Sequence, residues 1–196
     1  MENKMEHRKM KGRIVFLLAV CFFGGIPSSF LFAAGTITLK TGGDTIVVVK
    51  GNHTVLVQGE EYKYQRLKKD KRLKIFNEST GQGLWVKRYG TKIRIRDLRG
   101  NLLHLIIKAG YYYKVKTVMG TELAVMKREP DRVTVTVRET KAVYIIEPGA
   151  NKTVCHRANG TPVFTLEGDA KPFPASFFAM NPLSLLERTA CYLMYR

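Results

Sequence analysis

The sequence predicts an all-β protein: an antiparallel barrel or sandwich of about 10–13 short strands in hairpin repeats, followed by an apolar C-terminal helix. Two patterns predict the strands, because apolar and polar residues alternate with a period of two and turn residues recur between these runs. A third predicts the helix, since beyond residue 35 a helical spacing of apolar residues is found only near the C-terminus. The composition, 45% hydrophobic and 25% charged over 196 residues, excludes a disordered basic tail.

The alternation is clearest in two segments of the chain. Isoleucines alternate with basic residues in 92–96, and valines alternate with polar residues in 132–138. This pattern is typical of strands with one buried face. Two further segments, 102–107 and 143–146, are apolar at almost every position, so we expect these strands to be covered on both faces, with the C-terminal helix as the candidate cover.

Turn residues recur at a nearly constant interval. Gly81, Gly100, Gly120 and Gly160 lie 19, 20 and 40 residues apart, and Thr140 stands where a missing member would fall. About 20 residues is the length of one two-stranded unit, so the period predicts a series of hairpins.

The C-terminal helix is predicted over 181–196, as the only helix beyond residue 35. Asn181 is a favourable N-cap and Pro182 suits the first helical position. The apolar residues that follow at helical spacing are Leu183, Leu186, Ala190, Leu193 and Met194. A segment rich in proline and phenylalanine, 172–178, precedes them as an apolar lead-in. Such a helix fills a closed barrel or caps a twisted sheet.

The N-terminus has the layout of an export signal. Five basic residues stand in the first 13 positions, an apolar run covers 14–23, and helix-breaking and small residues follow up to residue 35. The pattern predicts a signal peptide over 1–34 and a single β-rich domain over 35–196. An uncleaved membrane anchor over 14–34 and a lipoprotein modified at Cys21 are alternatives. We therefore expect an exported protein, periplasmic or extracellular, unless the anchor holds it in the membrane.

The chain is strongly basic, and the basicity belongs to the β-rich domain. The 33 lysines and arginines against 16 acidic residues give a net charge of +17. Residues 35–196 keep 28 basic and 14 acidic residues, a net charge of +14. Segment 63–99 alone holds 13 basic and three acidic residues. A charge of this size points to an anionic partner.

Segment 63–99 contains the candidate anion-binding residues. These are Lys68, Lys69, Lys71, Arg72, Lys74, Lys87, Arg88, Lys92, Arg94, Arg96 and Arg99. The aromatic residues between them are Tyr62, Tyr64, Phe76, Trp85 and Tyr89, which are expected to stack on bases or to lie at a lipid headgroup layer. The alternative is a solvated basic face that keeps a β-rich protein soluble and protects strand edges.

Nucleic acid is the usual partner of such a basic strip. An exported protein rarely meets nucleic acid, so the sequence predicts an anionic lipid, lipopolysaccharide or acidic glycan surface instead. An interpretation of a different class is a structural or interaction subunit that pairs its strand edges with a protein partner, with the basic face passive.

The sequence offers no arrangement of catalytic or metal-binding residues, so we expect a protein without enzymatic activity, cofactor or metal. His53, His104 and His156 lack the spacing of metal ligands. There is no Gly-x-Ser-x-Gly, and the Gly-x-Gly of 81–83 lacks the following helix that a phosphate loop requires. Cys155 and Cys191 are a candidate disulfide, or alternatively two buried free thiols.

One hairpin carries a family resemblance. In residues 93–105, a strand, the turn Asp97-Leu98-Arg99-Gly100-Asn101 and an apolar strand follow one another. This segment resembles a hairpin of the tubby-like C-terminal superfamily, which includes the phospholipid scramblases and the LURP-one-related proteins. The resemblance implies a closed barrel of about twelve antiparallel strands around an apolar C-terminal helix, and lipid or membrane-surface binding as in some members. No functional residue is carried over from it.

Overall fold

The structure, a computed structural model, describes residues 36–51, 53–69 and 71–196. Fourteen strands in these residues form a closed antiparallel barrel. The all-β prediction is therefore confirmed, and the barrel form is the correct one of its two alternatives. The predicted signal peptide or anchor of residues 1–34 lies outside the described residues.

The strands are short and follow one another in sequence around the barrel. They are β1 (Ile37–Thr41), β2 (Asp44–Val49), β3 (Thr54–Val57), β4 (Glu60–Leu67), β5 (Arg72–Phe76), β6 (Gly83–Tyr89), β7 (Lys92–Asp97), β8 (Leu102–Ala109), β9 (Tyr112–Thr117), β10 (Glu122–Arg128), β11 (Val133–Val137), β12 (Val143–Gly149), β13 (Lys152–Arg157) and β14 (Pro162–Glu167). Each pairs with the next, and β1 closes the barrel by pairing with β14, where Leu39 lies opposite Leu166.

The recurring glycines mark one end of the barrel, which we call end A. Gly81, Gly100, Gly120 and Gly160 all have a positive φ, between 69° and 98°. A side chain with a Cβ is strained in this conformation, so glycine suits these tight turns. In the turn that has no glycine, Lys141 takes the corresponding φ of 54°. At the opposite end, end B, the turns of the described residues include 68–69, 90–91, 110–111, 129–132 and 150–151.

The barrel wall is one residue thick, with an inner and an outer face. In β7, Ile93 and Ile95 are at most 2% exposed and point inward, while the residues between them point outward. The strand β8, which was predicted to be covered on both faces, is not covered on its outer one. Leu105 and Ile107 lie half-buried on that outer face between cationic neighbours, so this prediction is wrong.

The C-terminal segment fills the barrel. After β14 the chain enters at end B through α1 (Pro172–Ala175) and a 3-10 turn (Ser176–Ala179), and α2 (Leu185–Tyr195) then runs back. Six consecutive residues of α2, 189–194, are buried, and six consecutive residues cover every side of a helix. Because these residues form one core cluster with the inner side chains of the strands, the barrel encloses the helix.

The start of this helix differs from the predicted one. Ser184 caps α2, because its hydroxyl accepts a hydrogen bond from the backbone of Glu187 while the Glu187 carboxylate accepts one from the Ser184 backbone. Asn181 instead donates a hydrogen bond to the hydroxyl of Tyr144, at 2.9 Å. The expectation of a single helix is also wrong, since α1 and the 3-10 turn precede α2. Among the helices of the described residues, none combines the length and the apolar character that crossing a bilayer requires.

Candidate anion-binding face

Six of the eleven predicted anion-binding residues share the outer face of β5, β6 and β7. We call this set the basic face: Arg72, Lys74, Lys87, Lys92, Arg94 and Arg96. Each alternates along its strand with an inward residue that is almost fully buried, such as Leu73, Val86 or Ile95. The period of two therefore fixes these cations on a rigid wall.

Three of these cations lie directly opposite one another across the strands. Arg72 pairs in register with Lys87, and Lys87 pairs with Arg94. Neighbouring strands are about 4.8 Å apart, so the row places like charges in close succession, which destabilises a sheet. Among the described residues, none of these three cations has a carboxylate within salt-bridge distance.

Aromatic rings lie between the cations of the basic face. The ammonium of Lys74 is 4.5 Å from the ring centre of Phe76 and 5.7 Å from that of Trp85. The ammonium of Lys87 is 5.5 Å from the Trp85 ring, and the Arg94 guanidinium is 5.4 Å from the Tyr89 ring. Cation–π contacts of this kind hold the cations over rings without neutralising them.

Two of the predicted aromatic residues are not on this face. Tyr62 and Tyr64 are 5% and 8% exposed and point into the barrel from β4, so the interpretation of them as surface rings is wrong. Their register on β4 places Lys63 and Gln65 outward instead.

The remaining five predicted cations lie elsewhere. Lys68, Lys69 and Lys71 are exposed in the end B turn that precedes β5, next to the basic face. Arg88 points inward, with its guanidinium 5.8 Å from the Tyr195 ring centre. Arg99 is in an end A turn. The structure thus brings nine of the eleven together and separates Arg88 and Arg99 from them.

A second set of cations lies at end B, and of its members only Arg88 was predicted from the sequence as an anion-binding residue. Arg66, Arg88, Lys108 and Arg128 occupy inward positions at the end B termini of β4, β6, β8 and β10. Arg66 donates to the carbonyl of Leu193 at 2.7 Å, and the other three lie 5.2–5.9 Å from aromatic ring centres. A cleft of about 400 Å³ opens beside Arg128, between the turn 129–132 and α1. The signal was present in the sequence, because a basic residue recurs at the 20-residue period of the hairpins at 88, 108 and 128.

Gly83 is not part of a phosphate loop. It allows two strands to pack closely. A Cβ at Gly83 would lie 2.3 Å from the carbonyl oxygen of Ile75 and 2.8 Å from the Cα of Phe76. The absence of a side chain therefore allows β6 to approach β5 where the basic face begins.

The histidines and cysteines of the described residues have structural surroundings. His104 is hydrogen-bonded to Glu187 at 2.6 Å, and no three metal-ligating side chains come together in this part of the chain. Cys155 and Cys191 are buried free thiols, the alternative to a disulfide. Burial raises the pKa of Cys155 to about 12 and also raises that of Cys191, so both thiols stay protonated and unreactive at neutral pH.

Removal of one charge from the opposed row is expected to stabilise the barrel. Arg72→Gln should raise the free energy of unfolding by roughly 0.5 kcal/mol at low salt, because Lys87 loses a like charge directly opposite it. The gain should disappear at about 1 M salt, where screening weakens the repulsion. Urea unfolding at both salt concentrations measures it. Arg132→Gln is the matched control, since Arg132 pairs with Glu129 and its removal should have the opposite sign. A loss of stability for Arg72→Gln would contradict the interpretation.

The chain matches no protein-family model, no curated protein and no solved structure. The resemblance of residues 93–105 to the tubby-like superfamily therefore stays a prediction.

Proposed function

We propose that this protein binds an anionic surface through the basic face and has no catalytic role. The observation that carries the proposal is the row Arg72, Lys87 and Arg94, in which like charges lie opposite one another without a carboxylate among the described residues to neutralise them. A merely solvated face gains nothing from this register, whereas a bound anion supplies the missing counter-charge.

The shape of the face favours a surface over a small molecule. Its cations stand on the outer wall of three adjacent strands, and this wall is convex because the sheet closes into a barrel. Such a wall meets an extended array of anions, such as lipid headgroups, lipopolysaccharide or an acidic glycan. Near an anionic membrane each basic residue contributes about 1 kcal/mol, and the attraction is screened by salt.

The interpretation as a strand-pairing subunit has less support. That mechanism needs an unpaired strand edge. In the described residues β1 and β14 pair with each other and every other strand has two neighbours, so the barrel offers no such edge.

A double substitution in the basic face tests the proposal. Lys87→Gln with Arg94→Gln removes two charges and keeps side chains that fit the wall. We expect affinity for vesicles that contain an anionic phospholipid, or for lipopolysaccharide, to fall roughly 30-fold at low salt. The measurement is vesicle cosedimentation over a salt series.

The matched control is Lys141→Gln with Arg157→Gln, which removes one lysine and one arginine from exposed positions far around the barrel. This variant should bind nearly as the parent protein does. If the parent does not bind anionic surfaces at low salt, or if the two double variants bind equally, the proposal fails.

A further inference from the structure

The two ends of the barrel differ in charge along the same strands. At end B, the turn regions of β4–β9 are residues 66–72, 88–92 and 108–114. They hold nine basic residues and one acidic residue. At end A, the turn regions of β5–β10 are residues 77–82, 97–101 and 117–122. They hold one basic and three acidic residues. Arg96 and Lys116 directly flank the end A regions, so this side of the barrel is strongly positive at end B and close to neutral at end A.

The positive end also exposes large apolar side chains. Tyr111 is 76% exposed, Tyr89 48%, Tyr112 44% and Leu67 40%. They lie at three neighbouring end B turns, each within four residues of an exposed lysine such as Lys92 or Lys108. Tyrosines and lysines side by side are typical of protein surfaces at the boundary between lipid headgroups and acyl chains.

We propose that end B docks onto an anionic phospholipid bilayer. Leu67, Tyr89, Tyr111 and Tyr112 enter the headgroup layer, and the surrounding lysines and arginines contact lipid phosphates. The barrel stands tilted, with the basic face turned toward the headgroups. This inference rests on the proposed function and specifies the anionic surface as lipid. Transfer of the exposed apolar side chains of end B out of water is favourable only if the partner has an apolar interior, which a glycan lacks.

A cleft at the same end suits a headgroup phosphate. It has a volume of about 320 Å³ and is lined by Lys108, Tyr111 and Arg128 among others. Glu129 lies in the same cleft, but its carboxylate is paired with Lys127 and Arg132. Hydrogen bonds from these two side chains lower the pKa of Glu129 to about 2. Its negative charge is thus compensated, and the cations of the cleft remain available to an anion.

Fluorescence of introduced tryptophans tests which end enters the bilayer. Tyr111→Trp is placed at end B, and Met119→Trp, at a position that is 90% exposed, at end A. Trp85 is the single native tryptophan, so the parent protein supplies the background. With vesicles of phosphatidylcholine and phosphatidylglycerol, we expect a blue shift and quenching by brominated acyl chains for Tyr111→Trp alone. Equal signals from both ends, or none at end B, would overturn the proposal.

A second pair of variants measures the contribution to binding. Tyr111→Ser with Tyr112→Ser should weaken binding to these vesicles roughly tenfold at about 1 M salt, where the Debye length is roughly 3 Å and apolar contacts dominate. Val118→Ser with Met119→Ser removes exposed apolar surface at end A and should have no effect. The full chain is used throughout, so its N-terminal apolar run is common to all variants.

The outcomes separate this inference from the function on which it rests. If both serine variants bind equally, or if heparin competes fully with vesicles at high salt, docking of end B into lipid is wrong while anion binding by the basic face stands. If Lys87→Gln with Arg94→Gln has no effect at low salt, the proposed function itself fails.

Discussion

Glu187→Ala is expected to lower the free energy of unfolding by about 3–5 kcal/mol, because it leaves a buried polar site without its partner. The side chain of Glu187 is 7% exposed and accepts hydrogen bonds from two sources, His104 on β8 at 2.6 Å and the backbone of Ser184 at 2.8 Å. The substitution therefore removes the cap of α2 and its polar link to the barrel wall together. Urea unfolding measures the loss.

The matched control replaces both partners. His104→Leu with Glu187→Leu removes both side chains of the buried pair, and replacement of such a pair by apolar residues is often close to neutral. The Ser184 backbone N–H loses its carboxylate acceptor, but Ser184 is exposed, so water can take that place. We expect this double variant to recover most of the stability that Glu187→Ala loses. If it is less stable than the single variant, the pair itself, and not the burial of an orphaned partner, stabilises the fold.

The same carboxylate sets part of the pH dependence of stability. Burial acts to raise the pKa of Glu187, but the hydrogen bonds from His104 and Ser184 outweigh burial and lower this pKa below its ordinary value. A carboxyl group with a lowered pKa in the folded state stabilises the fold above its unfolded pKa of about 4.3, and the contribution is lost as the pH falls through the folded pKa. Glu187→Gln should therefore flatten the decline in stability below about pH 4.5, measured by thermal unfolding over a pH series.

The strands were predictable because their signals are local. Alternation with a period of two and a glycine at a turn are properties of a few consecutive residues. The structure shows the alternating burial in β7 and the positive φ at Gly100. The closure of the barrel was not predictable, because it depends on the pairing of β1 with β14, at opposite ends of the domain sequence. The fourteen strands slightly exceed the predicted 10–13.

At the start of α2, the local capping rules allow two different first residues. Asn181 followed by Pro182 and Ser184 followed by Glu187 are both good starts for a helix. The second one is used because Glu187 also meets His104 from a distant strand, a contact that the sequence does not reveal.

The cations of the candidate site were likewise predictable only in part. Alternate positions on one strand, such as Lys92 and Arg94, were correctly predicted to share a face. Lys87 and Arg88 are adjacent in sequence, so they point to opposite sides of the wall, and only Lys87 joins the basic face. The two residues carry the same charge, so composition cannot distinguish them. The register of β6 places them on opposite faces.

Tyr192 provides the test of whether the enclosed helix serves as the core of the barrel. Its ring is 1% exposed and lies 5.2 Å from that of Phe178, centre to centre. Its hydroxyl has no hydrogen-bond partner among the described residues. Tyr192→Ala should lower the free energy of unfolding by about 3–5 kcal/mol, because the cavity it leaves is surrounded by rigid strands. Urea unfolding followed by circular dichroism measures this loss.

Tyr192→Phe is the matched comparison, because it keeps the ring and removes only the buried hydroxyl. We expect an increase of about 1 kcal/mol, since a buried polar group without a partner destabilises the folded state. Tyr111→Ala removes the same side chain as Tyr192→Ala from a position that is 76% exposed and should change stability by less than about 0.5 kcal/mol. If Tyr192→Ala were as mild as Tyr111→Ala, the strands would hold the barrel together without the helix. A large loss for Tyr192→Ala beside a gain for Tyr192→Phe means that apolar packing of α2 inside the barrel supports the wall on which the basic face stands.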